Sequence, residues 1–187
     1  RIWGLAVIII LFFLVAMYVS YENIWSRVLG CPWAVITAEN SKNNLGNVNV
    51  VELQDGDTLK QNIKMVSNNF TGFAVKIYKQ SEGNVKIILQ DKNGRELEQW
   101  NLDSKELNEK EFYGLYLGKV RKVKVGDTYT VEIIPQLKEN DSFGIELTSS
   151  TILTGNVILN GEATELSIAY QLYDGTVSSL KYLFFAF

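Results

Sequence analysis

Apolar and polar residues alternate with a period of two through most of the chain between residues 48 and 172, the mark of half-buried antiparallel strands. Ile63 and Met65; Phe73, Val75 and Ile77; Val85, Ile87 and Leu89; Tyr129, Val131 and Ile133; Phe143, Ile145 and Leu147; and Leu166, Ile168 and Tyr170 are each spaced to share one side of a strand. Successive side chains leave the pleat on opposite sides, so each set predicts a buried face. Turn signals separate the runs. Asn93-Gly94 in "DKNGRE" (91–96) predicts a tight hairpin, since both residues tolerate positive φ, and Gly126-Asp127 and Asn160-Gly161 mark further turns. "DSKELNEKE" (103–111) carries a helix start, with Asp103 as N-cap and Glu106 three residues on. Helical crossovers between strands are absent from the pattern, so the sheets should be antiparallel and folded in two layers that hide both apolar faces. The expected fold class is all-β: an antiparallel two-layer jelly-roll-like β-sandwich over residues 47–178.

The pattern changes at both ends. From Ile2 to Ser20 no residue is charged, close to the ~20 apolar residues with which a helix crosses a bilayer. A signal peptide has a shorter apolar region and a small-residue cleavage site, so 1–20 reads as a transmembrane helix. Residues 21–46 then read as an interfacial collar, where Tyr21, Trp25, Arg27 and Trp33 suit the headgroup level. "SSLKYLFFAF" repeats that order, and 179–187 reads as the start of a second, truncated membrane helix. Five apolar residues without alternation also fit a final core strand.

Composition narrows the chemistry. The chain has 187 residues, no histidine and one cysteine, Cys31. That leaves room for one core and excludes Ser-His-Asp, Cys-His and His-metal sites as well as an internal disulfide. A formal net charge of -3 gives no reason to expect a nucleic acid partner. No cofactor is expected.

The stretch "LKQNIKMVSNNFTGFAVKIYKQSEGNVKIILQDKNGRELEQWNLDSKELNEKEFYGLYL" has a Q-x-apolar opening strand, an F-T-G turn, a G-N-V strand, an Asp-x-x-Gly hairpin and a short helix before the next strand. Over residues 57–134 it resembles the extracytoplasmic β-sandwich loop of polytopic, glycosyltransferase-like membrane proteins of Gram-positive bacteria. The resemblance implies a cell-membrane location with the β domain outside, and the lipid bilayer, a glycan or lipid-linked sugar, and the rest of a polytopic protein as partners. No catalytic residue of such a family maps onto this chain. The implied function is a non-catalytic, membrane-tethered module that binds or positions a glycan, lipid-linked sugar or partner. The alternatives are an accessory part of a membrane glycosyltransferase that uses polyprenyl-phosphate sugars, and a structural spacer.

Three residue sets are candidates for contact. Tyr78, Trp100, Phe112 and Tyr116 fall off the apolar parity of their strands, as rings on which a pyranose could stack, with Gln99, Asn101 and Glu98 as hydrogen-bonding neighbours. The plainer reading is a second face partly buried by sheet curvature, or rings resting on the membrane. Asp55 and Asp57 in "LQDGD" and Asp91 in "DKNG" offer hard oxygen ligands for calcium. Neither stretch completes an EF-hand loop, and turns require Asp, Asn and Gly in any case. Lys119, Arg121, Lys122 and Lys124 in "GKVRKVKVG" (118–126) make a cationic strand suited to anionic headgroups or an anionic polymer, or an edge strand kept from pairing by its lysines.

Overall fold

The computed structural model describes residues 10–12, 14, 34–39, 49–149 and 155–175. Among the described residues thirteen strands follow in chain order: β1 (Ala34–Glu39), β2 (Asn49–Leu53), β3 (Leu59–Lys64), β4 (Asn69–Lys79), β5 (Gly83–Gln90), β6 (Glu96–Asp103), β7 (Phe112–Lys122), β8 (Thr128–Leu137), β9 (Phe143–Thr148), β10 (Ile158–Leu159), β11 (Glu162–Ala163), β12 (Ser167–Ile168) and β13 (Tyr170–Gly175). They form two sheets. The first runs β1-β13-β4-β9-β12, with β2 also on β9 and β7 also on β4; the second runs β11-β10-β3-β8-β5-β6. Every pairing is antiparallel. From β3 to β10 the chain changes sheet at each connection except the β5–β6 hairpin, so both layers assemble together.

The core lies where the alternation puts it. Phe73, Val75 and Ile77 of β4 and Phe143 and Ile145 of β9 meet Val85, Ile87 and Leu89 of β5 and Val131 and Ile133 of β8, all closed to solvent. Each such side chain contributes roughly 1.5–3 kcal/mol of burial free energy. Ile63, Met65, Tyr129, Leu147, Ile168 and Tyr170 join this cluster, while Leu166 is half-buried at its margin.

Three local expectations need correction. Ala34–Glu39, read as part of an interfacial collar, is strand β1, paired with β13 from Ala34↔Gly175 to Glu39↔Gln171. The helix expected in 103–111 is one 3-10 turn, Ser104–Glu106. Asp103 caps it as expected, accepting from the Lys105 N–H at 3.0 Å, but Leu107 is fully buried with an extended backbone, and that anchoring stops the helix. In the β5–β6 hairpin only Gly94 of the Asn93-Gly94 pair has positive φ, at +76°. The Gly94 N–H donates to Asp91 O at 2.9 Å and the Asp91 N–H to Arg95 O at 2.9 Å, a longer loop than a two-residue turn.

Ile10–Phe12 and Leu14 are helical and exposed. Among the described residues no helix is long and apolar enough to cross a membrane. The remainder of the 1–20 span, residues 21–33 and 40–46 of the collar and the 179–187 segment lie outside the described residues.

Candidate functional site

The outer surface of the first sheet collects three of the four aromatic candidates. Because Phe73, Val75 and Ile77 point inward, Gly72, Ala74, Lys76 and Tyr78 of β4 point outward. Across β7 the register sets Phe112 beside Lys76, Gly114 beside Ala74 and Tyr116 beside Gly72, and across β13 it sets Gln171 beside Ala74 and Tyr173 beside Gly72. Tyr78, Phe112 and Tyr116 are half-buried, so each keeps ring surface toward solvent.

Glycine shapes the centre of this surface. Tyr116 lies over Gly114, where an added Cβ would stand 2.8 Å from the ring's Cε2 and 2.9 Å from its hydroxyl. Tyr116 and Tyr173 stack with centroids 5.2 Å apart and ring planes 20° apart, on the strands either side of Gly72, where an added Cβ would stand 2.3 Å from Leu115 O. The Tyr173 hydroxyl donates to Gln171 Oε1 at 3.0 Å, and Gln171 Nε2 donates to Glu39 Oε2 at 3.0 Å. Burial, aided by the neighbouring Tyr116 hydroxyl and by Glu39, pushes the Tyr173 phenol up to about 12, so it remains a neutral donor.

A second polar cluster adjoins the rings. Lys76 Nζ lies 3.0 Å from Glu146 Oε1 and 3.0 Å from Oε2, and 5.8 Å from the Phe112 centroid. Lys110 Nζ lies 6.0 Å from the Tyr78 centroid. The surface thus alternates half-exposed rings with fixed donors and acceptors, the pairing a pyranose offers through its apolar face and its hydroxyls.

Trp100 does not belong to it. It pairs with the core residue Ile87, points inward, and meets Phe73 edge-on at 5.7 Å and 81°. In β6 the inward side is formed by Glu98, Trp100 and Leu102, and Gln99 and Asn101 alternate with them on the outward side. Those two are exposed on the second sheet, Gln99 Nε2 donating to Asn101 Oδ1 at 3.4 Å, apart from the aromatic surface. Glu98 stands beside the buried Leu89 and is likewise on the second sheet. Tyr173 and Gln171 were missed, although carrying the Ile168–Tyr170 alternation on to Leu172 would have set both outward.

The metal candidates are engaged as turn residues. Asp55 Oδ1 accepts from the Leu137 N–H at 2.9 Å. Asp57 accepts from the Gln54 N–H at 2.7 Å and from Asn160 Nδ2 at 2.8 Å. Asp91 Oδ1 accepts from the N–H groups of Asn93 and Arg95 at 2.8 and 3.0 Å. Among the described residues no three potential ligands gather into a metal-holding group.

Lys119, Arg121 and Lys122 lie on β7, whose one strand partner among the described residues is β4. The strand ends at Lys122, so the exposed Lys124 belongs to the following loop. No family model matches the chain, and no curated protein matches it significantly.

Proposed function

We propose that the chain is a non-catalytic, membrane-tethered extracytoplasmic module that binds a glycan or the sugar of a lipid-linked saccharide on the outer surface of its first sheet. The observation that carries this reading is the gathering of Tyr78, Phe112 and Tyr116, half-exposed, around the Lys76–Glu146 pair and the Tyr173–Gln171–Glu39 chain. Its jelly-roll character is supported by strand order. Within the sheets β2-β9-β4-β7 and β3-β8-β5-β6 are hydrogen-bonded neighbours, the arrangement of an eight-stranded jelly roll, and β1, β10, β11, β12 and β13 extend it. The membrane tether is supported by the charge-free run from Ile2 to Ser20, and the outward orientation by the resemblance over residues 57–134.

The test is a glycan array probed with the full chain in a neutral detergent, followed by calorimetric titration of the oligosaccharides that bind. Phe112→Ala and Tyr116→Ala should each weaken binding about tenfold, as loss of a stacking ring implies. An array without a binder, or affinities unchanged in both variants, would refute the reading.

A further inference from the structure

At one rim of the sandwich the edge strands β7 and β6 stand on either side of a cleft of about 360 Å³. The chain departs from regular pairing there. Between the pairs Gly72↔Tyr116 and Phe70↔Arg121, β4 advances two residues while β7 advances five. The surplus backbone is a wide irregularity of the kind that re-aims side chains, and it turns Lys119, Arg121 and Lys122 toward one opening.

Arg121, opposite the core residue Phe70, reaches across to the second sheet and donates from Nη2 to Leu97 O at 3.1 Å. Its Nε is buried without a hydrogen-bond partner. None of the ion pairs among the described residues includes Lys119, Arg121 or Lys122; Lys122 bonds the neutral Asn69 Oδ1. Arg95, on the opposite wall, pairs with Asp91 at 3.1 Å. Asp91 is the one carboxylate lining the cleft, and it is already committed to its hairpin through the Arg95 and Asn93 N–H groups, which hold it below the usual carboxylate range. Asp174, which acts on Lys122 from nearby, is pushed toward its neutral form by burial. The cleft therefore holds four cationic side chains against one carboxylate. Tyr129 adds a hydroxyl that burial keeps protonated.

We propose that this cleft binds a phosphate group, free or at the end of a phosphoester. Its cationic side chains and the Tyr129 hydroxyl are donors, its one carboxylate is already engaged by Arg95 and by the Asn93 and Arg95 N–H groups, and three of its cations lack an acid partner, so the ligand it suits is an anionic acceptor. The donors come from β7, the β5–β6 hairpin and β8, hence from several directions. The tetrahedral oxygens of phosphate can meet such a set, whereas the two coplanar oxygens of a carboxylate suit a single guanidinium fork. The volume accommodates phosphate with a short ester group. The cleft is separate from the aromatic surface, so neither proposal rests on the other.

The experiment follows backbone amide shifts and heats of binding for the full chain in a neutral detergent at low ionic strength. The probes are inorganic phosphate, glycerol phosphate, glycerophosphoglycerol and acetate. Phosphate should give saturable shifts at Arg95, Lys119, Arg121 and Tyr129 that weaken as salt is raised. The exposed double substitution Lys119→Gln/Lys122→Gln should raise the apparent Kd at least ~tenfold with the melting temperature unchanged. Lys86→Gln, on the solvent side of β5, should leave binding intact. Tighter binding of glycerol phosphate than of the diester would assign a soluble phosphomonoester, and the reverse order a lipid headgroup. The proposal is overturned if none of the phosphates gives saturable shifts, if acetate binds as tightly as phosphate, or if Lys86→Gln weakens binding as much as the double substitution.

Discussion

Replacing Trp100 with Ala separates the inward ring from the outward ones. Trp100 is half-buried and meets Phe73 edge-on at 5.7 Å. A tryptophan buries up to about 250 Å². If about 100 Å² of that is hidden here, transfer at roughly 25 cal/mol per Å² contributes about 2.5 kcal/mol, and the edge-to-face pairing adds about 1 kcal/mol. The variant should therefore lose about 3.5 kcal/mol from a total stability of roughly 5–15 kcal/mol. Urea unfolding of the full chain in a neutral detergent, followed by circular dichroism, measures the loss. A cycle with Phe73→Leu isolates the ring pair, whose coupling should be about 0.5–1.5 kcal/mol. Glycan binding should be retained, in contrast to Phe112→Ala. A stability loss under about 0.5 kcal/mol, the range of ordinary surface changes, or no coupling with Phe73, would show that Trp100 does not pack in the core and return it to the outer surface.

Other perturbations read other parts of the structure. Ile77→Asp should abolish folding, since an unpaired carboxylate in the core costs several kcal/mol, and a cooperative unfolding transition in that variant would contradict the burial of Ile77. Alternation alone makes Lys76→Asp silent, but Lys76 pairs with Glu146 at 3.0 Å, so this variant should be measurably less stable than Lys76→Met, with equal stabilities counting against the pairing. Gly114→Val should leave the fold standing yet displace Tyr116, because the new side chain would collide with the ring; unchanged ring-current shifts at Tyr173 would contradict the stack. Glu82, bonded by Lys138 and Lys105, is held down to about 2. Its folded pKa lies below the unfolded one, so its contribution is present above pH 4.5 and lost as pH falls toward 2; carboxyl NMR should find the midpoint near 2, moving up in Lys138→Gln. Tyr173, raised to about 12, runs in the opposite direction. Stability should decline between pH 10 and 12, where the unfolded phenol ionises first, and ultraviolet titration should show a tyrosine ionising last and returning to ~10 on unfolding.

What the sequence made legible is what a two-residue period can encode. The inward residues of β4, β5, β8 and β9 were readable because burying one side of a strand leaves a strict apolar alternation. The same logic misfired on β6, an edge strand in which Glu98, Trp100 and Leu102 share the inward side. Incomplete coverage at an edge lets polar residues occupy that side, so an isolated tryptophan there resembles an exposed ring. Apart from the β5–β6 hairpin, strand partners were not legible. The stack of Tyr116 on Tyr173 depends on β4 lying between β7 and β13, contacts distant in sequence that no local pattern records.

The cationic run shows most clearly where local reading stops. Read by itself, 118–126 is a short cationic strand whose basic residues change parity between Arg121 and Lys122, and an edge kept from pairing by its lysines accounts for it. The irregularity between Phe70 and Gly72 changes where those residues point, because β7 takes three more steps than β4 there. Arg121 is consequently set opposite a core phenylalanine and spans the gap to Leu97 of the other sheet. An edge needs only charge directed outward to prevent aggregation. A guanidinium drawn inward, with a buried Nε lacking a partner and no acid at ion-pair distance, carries a desolvation cost that edge protection does not require. A bound anion would offset that cost, and it would do so at the one place where β7 departs from regular pairing.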